Sequence, residues 1–75
     1  MHNKLFAERL QQLREQKGIT QRKMEEDLNL PLNFISQIEN GQRQVRYKAL
    51  ILIADYFDVS IDYLLQRSDN PLTAK

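Results

Sequence analysis

The amino-acid sequence predicts an all-α fold, a compact bundle of five helices. Apolar residues recur at intervals of three and four along most of the 75-residue chain, which is the period of a helix that buries one face. Residues that favour helix ends, such as Asn, Ser, Thr and Gly, separate these periodic segments. No segment shows a convincing alternation of apolar and polar residues of the kind that is typical of a strand.

Helix 1 is predicted to cover about residues 3–17. Its apolar stripe consists of Leu5, Phe6, Leu10 and Leu13. Asn3 is a suitable N-cap, because its side chain can accept a hydrogen bond from a free N–H of the first turn. Gly18 ends the helix, because glycine readily adopts the left-handed backbone found after many helices.

Helices 2 and 3 are predicted to be short and to be joined by a tight turn. Helix 2 begins after Thr20, which caps it, and runs to about Leu28. Asn29 takes the turn, because Asn tolerates a left-handed backbone better than most residues do. Helix 3 begins near Pro31, whose missing N–H is not needed in a first turn, and ends at Asn40-Gly41.

Helix 3 is expected to expose an uncharged face that can form hydrogen bonds. The apolar residues of helices 2 and 3 are spaced to bury one side of each helix: Met24, Leu28, Leu30, Ile35 and Ile38. Four residues are left on the outside: Leu32, Asn33, Ser36 and Gln37. Such a face suits the major groove of DNA, where amides can pair with adenine and apolar groups can touch the thymine methyl.

Helices 4 and 5 are predicted over about residues 47–57 and 61–66. Helix 4 has one apolar face, formed by Leu50, Ile53, Ala54 and Phe57. Asp58-Val59 turns the chain, and Ser60 caps helix 5. Asp62 then lies at the positive end of the helix dipole, where a carboxylate is favourable.

Length and composition predict a soluble, cytoplasmic protein with one small core. We expect residues 1–67 to form the domain and the polar residues 68–75 to form a flexible tail. The absence of Cys excludes disulfides and thiol catalysis and fits a reducing compartment. The longest apolar run, residues 49–54, is too short to span a bilayer, and the first ten residues turn polar too soon for a signal peptide.

The net charge of +1 gives little support for a polyanionic partner, but the charges are unevenly placed. Residues 1–24 carry six basic and two acidic side chains, whereas residues 25–40 carry four acidic side chains and no basic one. Arg43, Arg46 and Lys48 then follow without an acid. This alternation fits basic groups on either side of an uncharged reading helix, but charge alone favours ordinary solvated surface.

The sequence gives no support for catalysis. Its lone His, His2, lies at the amino terminus, and the acidic residues 25–27 have no His, Cys or Gly-rich segment near them. The sequence also lacks metal-ligand spacing, a phosphate-binding loop and a nucleophile–base pair. We therefore expect a non-enzyme with no cofactor, no metal and no small-molecule ligand.

About four-fifths of the chain lies in a run that contains the segments RLQQLREQKGITQ, FISQIENGQR and ALILIADYFDVSIDYLL. In content, order and spacing this run resembles the phage-repressor and Cro type helix-turn-helix domain, also called Xre-like or lambda-repressor-like. The resemblance implies a five-helix bundle whose second and third helices read double-stranded DNA. It also implies a transcriptional regulator, a repressor in our expectation, that binds a palindromic operator as a homodimer.

The resemblance implies roles for individual residues. The base-contacting residues, in a recognition helix at about 31–40, would be Leu32, Asn33, Ser36 and Gln37. The phosphate-contacting residues would be Gln21, Asn40, Arg43 and Arg46. Arg14 and Glu39 match a pair that forms a salt bridge between helices 1 and 3 in some members. An exposed Leu32 is compatible both with contact to a thymine methyl and with an ordinary surface residue.

The sequence departs from this family's pattern at four places. Glu25 stands where Ala is usual, and we expect its side chain to extend outward so that helices 2 and 3 can approach. Asn29 replaces the usual Gly of the turn, and Pro31 replaces a common Ser cap of helix 3. Val45-Arg46 replace Pro-Ser, which removes a cap from helix 4 and adds a positive charge.

The carboxyl-terminal quarter carries more apolar surface than one small core needs. We expect part of it to contact a second subunit, through Tyr56, Ile61, Tyr63 and Leu64. The alternative is that these residues only complete the core. Two other functions remain open for this fold: a protein-binding module of the antitoxin or anti-repressor type, favoured by the near-neutral charge and Glu25, and a restriction-modification controller.

Overall fold

The computed structural model describes residues 4–67 and folds them into five α-helices. In chain order these are α1 (Lys4–Lys17), α2 (Gln21–Leu28), α3 (Phe34–Glu39), α4 (Tyr47–Phe57) and α5 (Ile61–Leu64). The described range contains no strand, and the all-α prediction is confirmed. The predicted N-cap Asn3 and the predicted tail, residues 68–75, lie outside the described residues.

Local signals set both ends of α2 and the start of α5 as the sequence predicts. The Thr20 hydroxyl accepts a hydrogen bond from the backbone N–H of Lys23 at 3.0 Å. The Ser60 hydroxyl accepts one from the backbone N–H of Tyr63, also at 3.0 Å. Asn29 follows α2 with a left-handed backbone, at φ 55°. These ends depend on residues within a few positions of one another, which makes them readable from sequence.

Three details of the helices differ from prediction. Leu5 is 51% exposed, so it does not widen the apolar stripe of α1. α5 ends at Leu64 and not at residue 66, because Gln66 adopts a left-handed backbone at φ 59°. α3 begins at Phe34 and not near Pro31, because Asn33 is also left-handed, at φ 69°. Residues 31–33 therefore belong to the turn.

The core receives side chains from all five helices. Its largest fully buried members are Phe6, Leu10, Met24, Ile35, Ile38, Ile53 and Leu64. Each such side chain contributes about 1.5–3 kcal/mol by leaving water. α3 packs against α1 and α2, and α5 packs against α1 and α4. The core therefore holds α3 by its inner face and leaves its outer face free.

Candidate nucleic-acid interface

The turn between α2 and α3 is organised by the side chain of Glu25, which is only 5% exposed. Its two carboxylate oxygens accept hydrogen bonds from the backbone N–H groups of Asn33 at 3.3 Å and Ile35 at 3.0 Å. N–H groups at the start of a helix have no partner within it, and a negative charge there is favoured by the helix dipole. Glu25 therefore caps α3 from α2.

The expectation that Glu25 extends outward is wrong. Burial of a carboxylate is costly unless hydrogen bonds compensate it, and the two N–H groups supply that compensation. Asn33, the residue before α3, makes no side-chain capping bond of its own. The cap lies ten residues upstream of Ile35, so a local capping pattern does not reveal it. In the sequence, the only indication that Glu25 is buried is its position next to Met24, a residue of the predicted apolar face.

Arg14 and Glu39 join α1 to α3 in a largely buried ion pair. The Nε of Arg14 lies 2.8 Å from Oε2 of Glu39, and its Nη2 donates to Oε1 at 3.2 Å. The two side chains are 13% and 4% exposed. The hydrogen bond to Glu39 is the main cause that raises the pKa of Arg14 above its usual value. Arg14 also donates to the carbonyl of Ile19 at 2.9 Å, so it fixes the loop before α2 as well.

Gln21 belongs to the same network. Its Nε2 donates to Oε1 of Glu39 at 2.9 Å, which ties the first residue of α2 to the last residue of α3. An amide nitrogen carries two hydrogens, so one donor of Gln21 is left for another acceptor. The predicted phosphate contact of Gln21 thus stays compatible with this bond, and Glu39 holds the amide in position.

The structure divides the predicted base-contacting residues between the turn and the helix. Leu32 is 65% exposed and lies in the turn with Asn33, which is exposed too. Ser36 and Gln37 lie within α3 and are half-buried. Within α3, Ile35 and Ile38 are buried in the core, which leaves Ser36 and Gln37 on the more accessible side of the helix. The contact of all four residues with bases remains a prediction.

Arg43 is bonded to Gln37, a contact that the sequence did not reveal. Its Nε donates to Oε1 of Gln37 at 2.8 Å, and its guanidinium lies 4.8 Å from the centre of the Phe34 ring. Gly41, at φ 73°, ends α3 and turns the chain so that Arg43 comes back over the helix. The predicted phosphate contact and the predicted base contact are therefore neighbours.

A basic groove of about 280 Å³ adjoins this pair. Its lining includes three cations that follow α3 in the chain, Arg43, Arg46 and Lys48, together with the exposed Leu52. Arg46 precedes α4 without a side-chain cap, as its replacement of a capping Ser predicts. The predicted phosphate residue Asn40 is also exposed, and its Nδ2 lies 3.5 Å from the Ser36 hydroxyl. Because Phe34, the first residue of α3, also lines this groove, the positive charge lies alongside α3.

The prediction that Leu64 lies in a dimer interface is wrong. Its side chain is completely buried in the core of one subunit and cannot be reached by another. The half-buried leucine of this segment is Leu65. The other predicted members, Ile61, Tyr56 and Tyr63, are half-buried and retain some accessible surface.

The two tyrosines of this surface already have partners within the subunit. The Tyr56 hydroxyl donates to Oδ2 of Asp27 at 2.6 Å, linking α4 to α2. Desolvation and this bond raise the pKa of Tyr56 to about 12. The guanidinium of Arg9 stacks over the Tyr63 ring at 3.9 Å, linking α1 to α5. Both rings therefore stabilise the domain whatever else they contact.

Two features are absent from the part of the chain that the structure describes. Residues 4–67 include no group of three or more His, Cys, Asp and Glu side chains placed to hold a metal ion. None of the helices in that range has the length and apolar character that a membrane span requires.

Comparison with known proteins decides the family. The sequence model of a helix-turn-helix family matches residues 10–64, which include α2, the Glu25-capped turn and α3. The chain belongs to the Xre-like helix-turn-helix family. This is a family of DNA-binding proteins and not of enzymes. No solved structure matches the chain.

Three curated relatives illustrate the family. The chain is 39% identical over 66 residues to the uncharacterized HTH-type transcriptional regulator YqaE of Bacillus subtilis, covering 88% of this chain and 57% of the relative. It is 36% identical to the HTH-type transcriptional regulator PrpR of Mycobacterium tuberculosis, covering 88% and 14%. It is 40% identical to the HTH-type transcriptional activator BcrR of Enterococcus faecalis, covering 80% and 29%. The chain thus spans between 14% and 57% of these relatives' lengths.

Proposed function

We propose that this chain is a cytoplasmic transcriptional regulator that binds a palindromic operator in double-stranded DNA as a homodimer. The observation that carries the proposal is the uncharged outer face formed by Leu32, Asn33, Ser36 and Gln37. Buried contacts of Glu25 and Glu39 fix this face against the rest of the domain. The relatives, which are named as transcriptional regulators or activators, support the same function.

The proposed complex places α3 and the turn before it in the major groove. Leu32 and Asn33 lead into the groove, and Gln37 reaches a base edge one helical turn further along. Arg43 and Arg46 lie alongside α3, where they meet phosphates and set the register. Gln21 and Asn40 contact neighbouring phosphates, because the bond between Gln21 and Glu39 holds the start of α2 beside the end of α3.

The proposed homodimer accounts for a palindromic site. Two copies related by a twofold axis present two copies of α3, so their half-sites are about 10 base pairs apart from centre to centre. We propose that Ile61, Tyr63 and Leu65 contribute to the contact, with Tyr56 at its edge. Sedimentation with and without operator should detect the dimer. A monomer at high micromolar concentration in both conditions contradicts it.

Selection of bound sequences from a random DNA pool tests the function. We expect an enriched motif with two inverted half-sites at the stated spacing. If the dimer neutralises about six to eight phosphates, the slope of log affinity against log salt should be near −5 to −7. Absence of any enriched motif, together with binding that does not respond to salt, contradicts the proposal.

Repression is the proposed effect of operator binding. BcrR is named an activator, so the sign of the effect needs its own measurement. A reporter gene placed behind the selected operator should lose expression when the chain is produced. Increased expression would assign activation and contradict this part of the proposal.

The near-neutral net charge still favours one alternative, a protein-binding module of the same fold. Glu25 no longer supports it, because its carboxylate is buried as a cap and presents no charge to a partner. Retention on heparin separates the two functions, since a DNA-binding domain elutes with salt and a protein-binding module has no reason to bind. A restriction-modification controller would pass the same DNA tests, and the genes beside the operator distinguish it.

A further inference from the structure

We propose that Gln37 and Arg43 read DNA as one unit that presents hydrogen-bond donors to the groove, so that the base facing Gln37 is guanine and not adenine. This inference rests on the proposed function and specifies the base that one position of the operator must hold. It also gives Arg43 a second task, since the residue then positions Gln37 in addition to meeting a phosphate.

The orientation of the Gln37 amide follows from its partner. Nε of Arg43 lies 2.8 Å from the Gln37 side chain. A guanidinium carries donors and no acceptor, so the Gln37 atom that faces it must be the oxygen Oε1 and not the nitrogen. Nε2 of Gln37, with its two hydrogens, is therefore the amide atom left for a partner outside the protein.

The pair is held by a second contact. The guanidinium of Arg43 also lies 4.8 Å from the centre of the Phe34 ring, and that ring packs against the core. Phe34 and Gln37 are three residues apart in α3, which places them on neighbouring positions of one face. The ring and the amide together restrict the guanidinium, so Arg43 and Gln37 form a unit before DNA arrives.

This orientation changes which base Gln37 prefers. An unrestrained glutamine pairs with adenine by accepting from N6 with its oxygen and donating to N7 with its nitrogen. In this chain the oxygen already accepts one hydrogen bond from Arg43, and the positive charge of that guanidinium disfavours the approach of a second donor such as an amino group. Guanine instead offers two acceptors in the major groove, N7 and O6. Nε2 of Gln37 and the terminal nitrogens of Arg43 can donate to both.

Selection from a random DNA pool with matched variants tests this inference. The position that loses discrimination in Gln37→Ala identifies the base that Gln37 faces. The wild-type chain should prefer guanine over adenine there by about tenfold, the scale of one good bidentate contact. Arg43→Ala frees Oε1 and should shift the preference at that position towards adenine. Arg46→Ala, which removes a nearby loop arginine that does not bond to Gln37, should weaken binding and keep the wild-type motif.

Two results overturn the inference alone. One is a wild-type motif with adenine at the position that Gln37 faces. The other is an Arg43→Ala chain that remains folded by circular dichroism and binds more weakly with an unchanged motif, since Arg43 would then contact only phosphate. A wild-type chain that enriches no sequence overturns the proposed function together with the inference, so the two failures are distinguishable.

Discussion

At the scale of single residues, Glu25 shows how a departure from a family's pattern can be compensated. A carboxylate at a position where Ala is usual would, by size and charge alone, push two helices apart. In this chain it accepts hydrogen bonds from two backbone N–H groups and becomes the cap that α3 otherwise lacks. The charge is retained because the start of α3 supplies its partners.

Removal of this cap should destabilise the domain. Glu25→Ala leaves the buried N–H of Ile35 without a partner, and we expect the free energy of unfolding to fall by about 1–3 kcal/mol. Denaturant unfolding measures the change. Glu26→Ala is the matched control, because Glu26 is exposed and adjacent, and it should change stability by no more than about 0.5 kcal/mol. Equal effects of the two substitutions would show that Glu25 is not a cap.

The Tyr56–Asp27 bond predicts a dependence of stability on pH. Tyr56 has a pKa of about 12 in the folded domain, above its ordinary value of 10.0. The neutral phenol is thus favoured by folding, so its contribution is fully present below pH 10 and is lost as pH rises towards 12. The pKa of Asp27 is lowered, chiefly by this bond and by Lys23, so its contribution is lost as pH falls below its ordinary value of 3.8.

Tyr56→Phe tests this coupling. The difference in unfolding free energy between wild type and Tyr56→Phe should shrink as pH rises from 10 to 12, and again as pH falls below 4. The wild-type minus variant difference in phenolate absorbance should have its midpoint near pH 12. A midpoint near 10 would mean that Tyr56 is not bonded to Asp27.

At the scale of the elements, a feature could be predicted when the residues that cause it lie close together in the sequence. The ends of α2 and the bounds of α4 follow from local spacing and from caps such as Thr20, so they were predictable. The start of α3 depends on a carboxylate in another helix, and for that reason the prediction of a start near Pro31 is wrong. The bond between Arg43 and Gln37 likewise depends on how the chain turns at Gly41. The candidate site was thus predictable as a set of residues and not as a set of contacts.

We expect the ion pair between Arg14 and Glu39 to stabilise the packing of α1 against α3. Arg14→Met leaves the carboxylate of Glu39 buried with only Gln21 as a partner, and we expect a loss of about 3–5 kcal/mol in unfolding free energy. The double variant Arg14→Met, Glu39→Leu removes both charges and should lose less than the sum of the single variants. Additive losses in this double-mutant cycle would contradict coupling between the two side chains.

At the scale of the whole molecule, the residues that hold α3 in position are different from the cations that line the groove beside it. The core, which draws on all five helices, fixes α3 by Ile35 and Ile38. Buried polar contacts then set the position of α3, and a groove lined by three cations lies alongside it. A net charge of +1 is compatible with this arrangement, because the position of the charges matters more for docking than their sum.

Substitutions of Leu64, the last residue of α5, and of Arg67, three residues later, should affect stability differently. Leu64→Ala should lower the unfolding free energy of one subunit by about 2–5 kcal/mol, because Leu64 is completely buried. Arg67→Ala, which changes an exposed residue of the same segment, should leave that stability within about 0.5 kcal/mol. Thermal or denaturant unfolding measures both. A small effect of Leu64→Ala would contradict its place in the core.

The central claim is that α3 reads bases through Gln37. The most direct test measures how Gln37→Ala binds the selected operator and operators with each base changed in turn. We expect a loss of about 1–3 kcal/mol on the best operator and a loss of discrimination at one position of each half-site. Arg46→Ala should instead weaken all operators alike and make the salt slope shallower by about one for each phosphate that the variant no longer binds. If Gln37→Ala also weakens every operator equally, α3 does not read bases through Gln37, and the central claim is wrong.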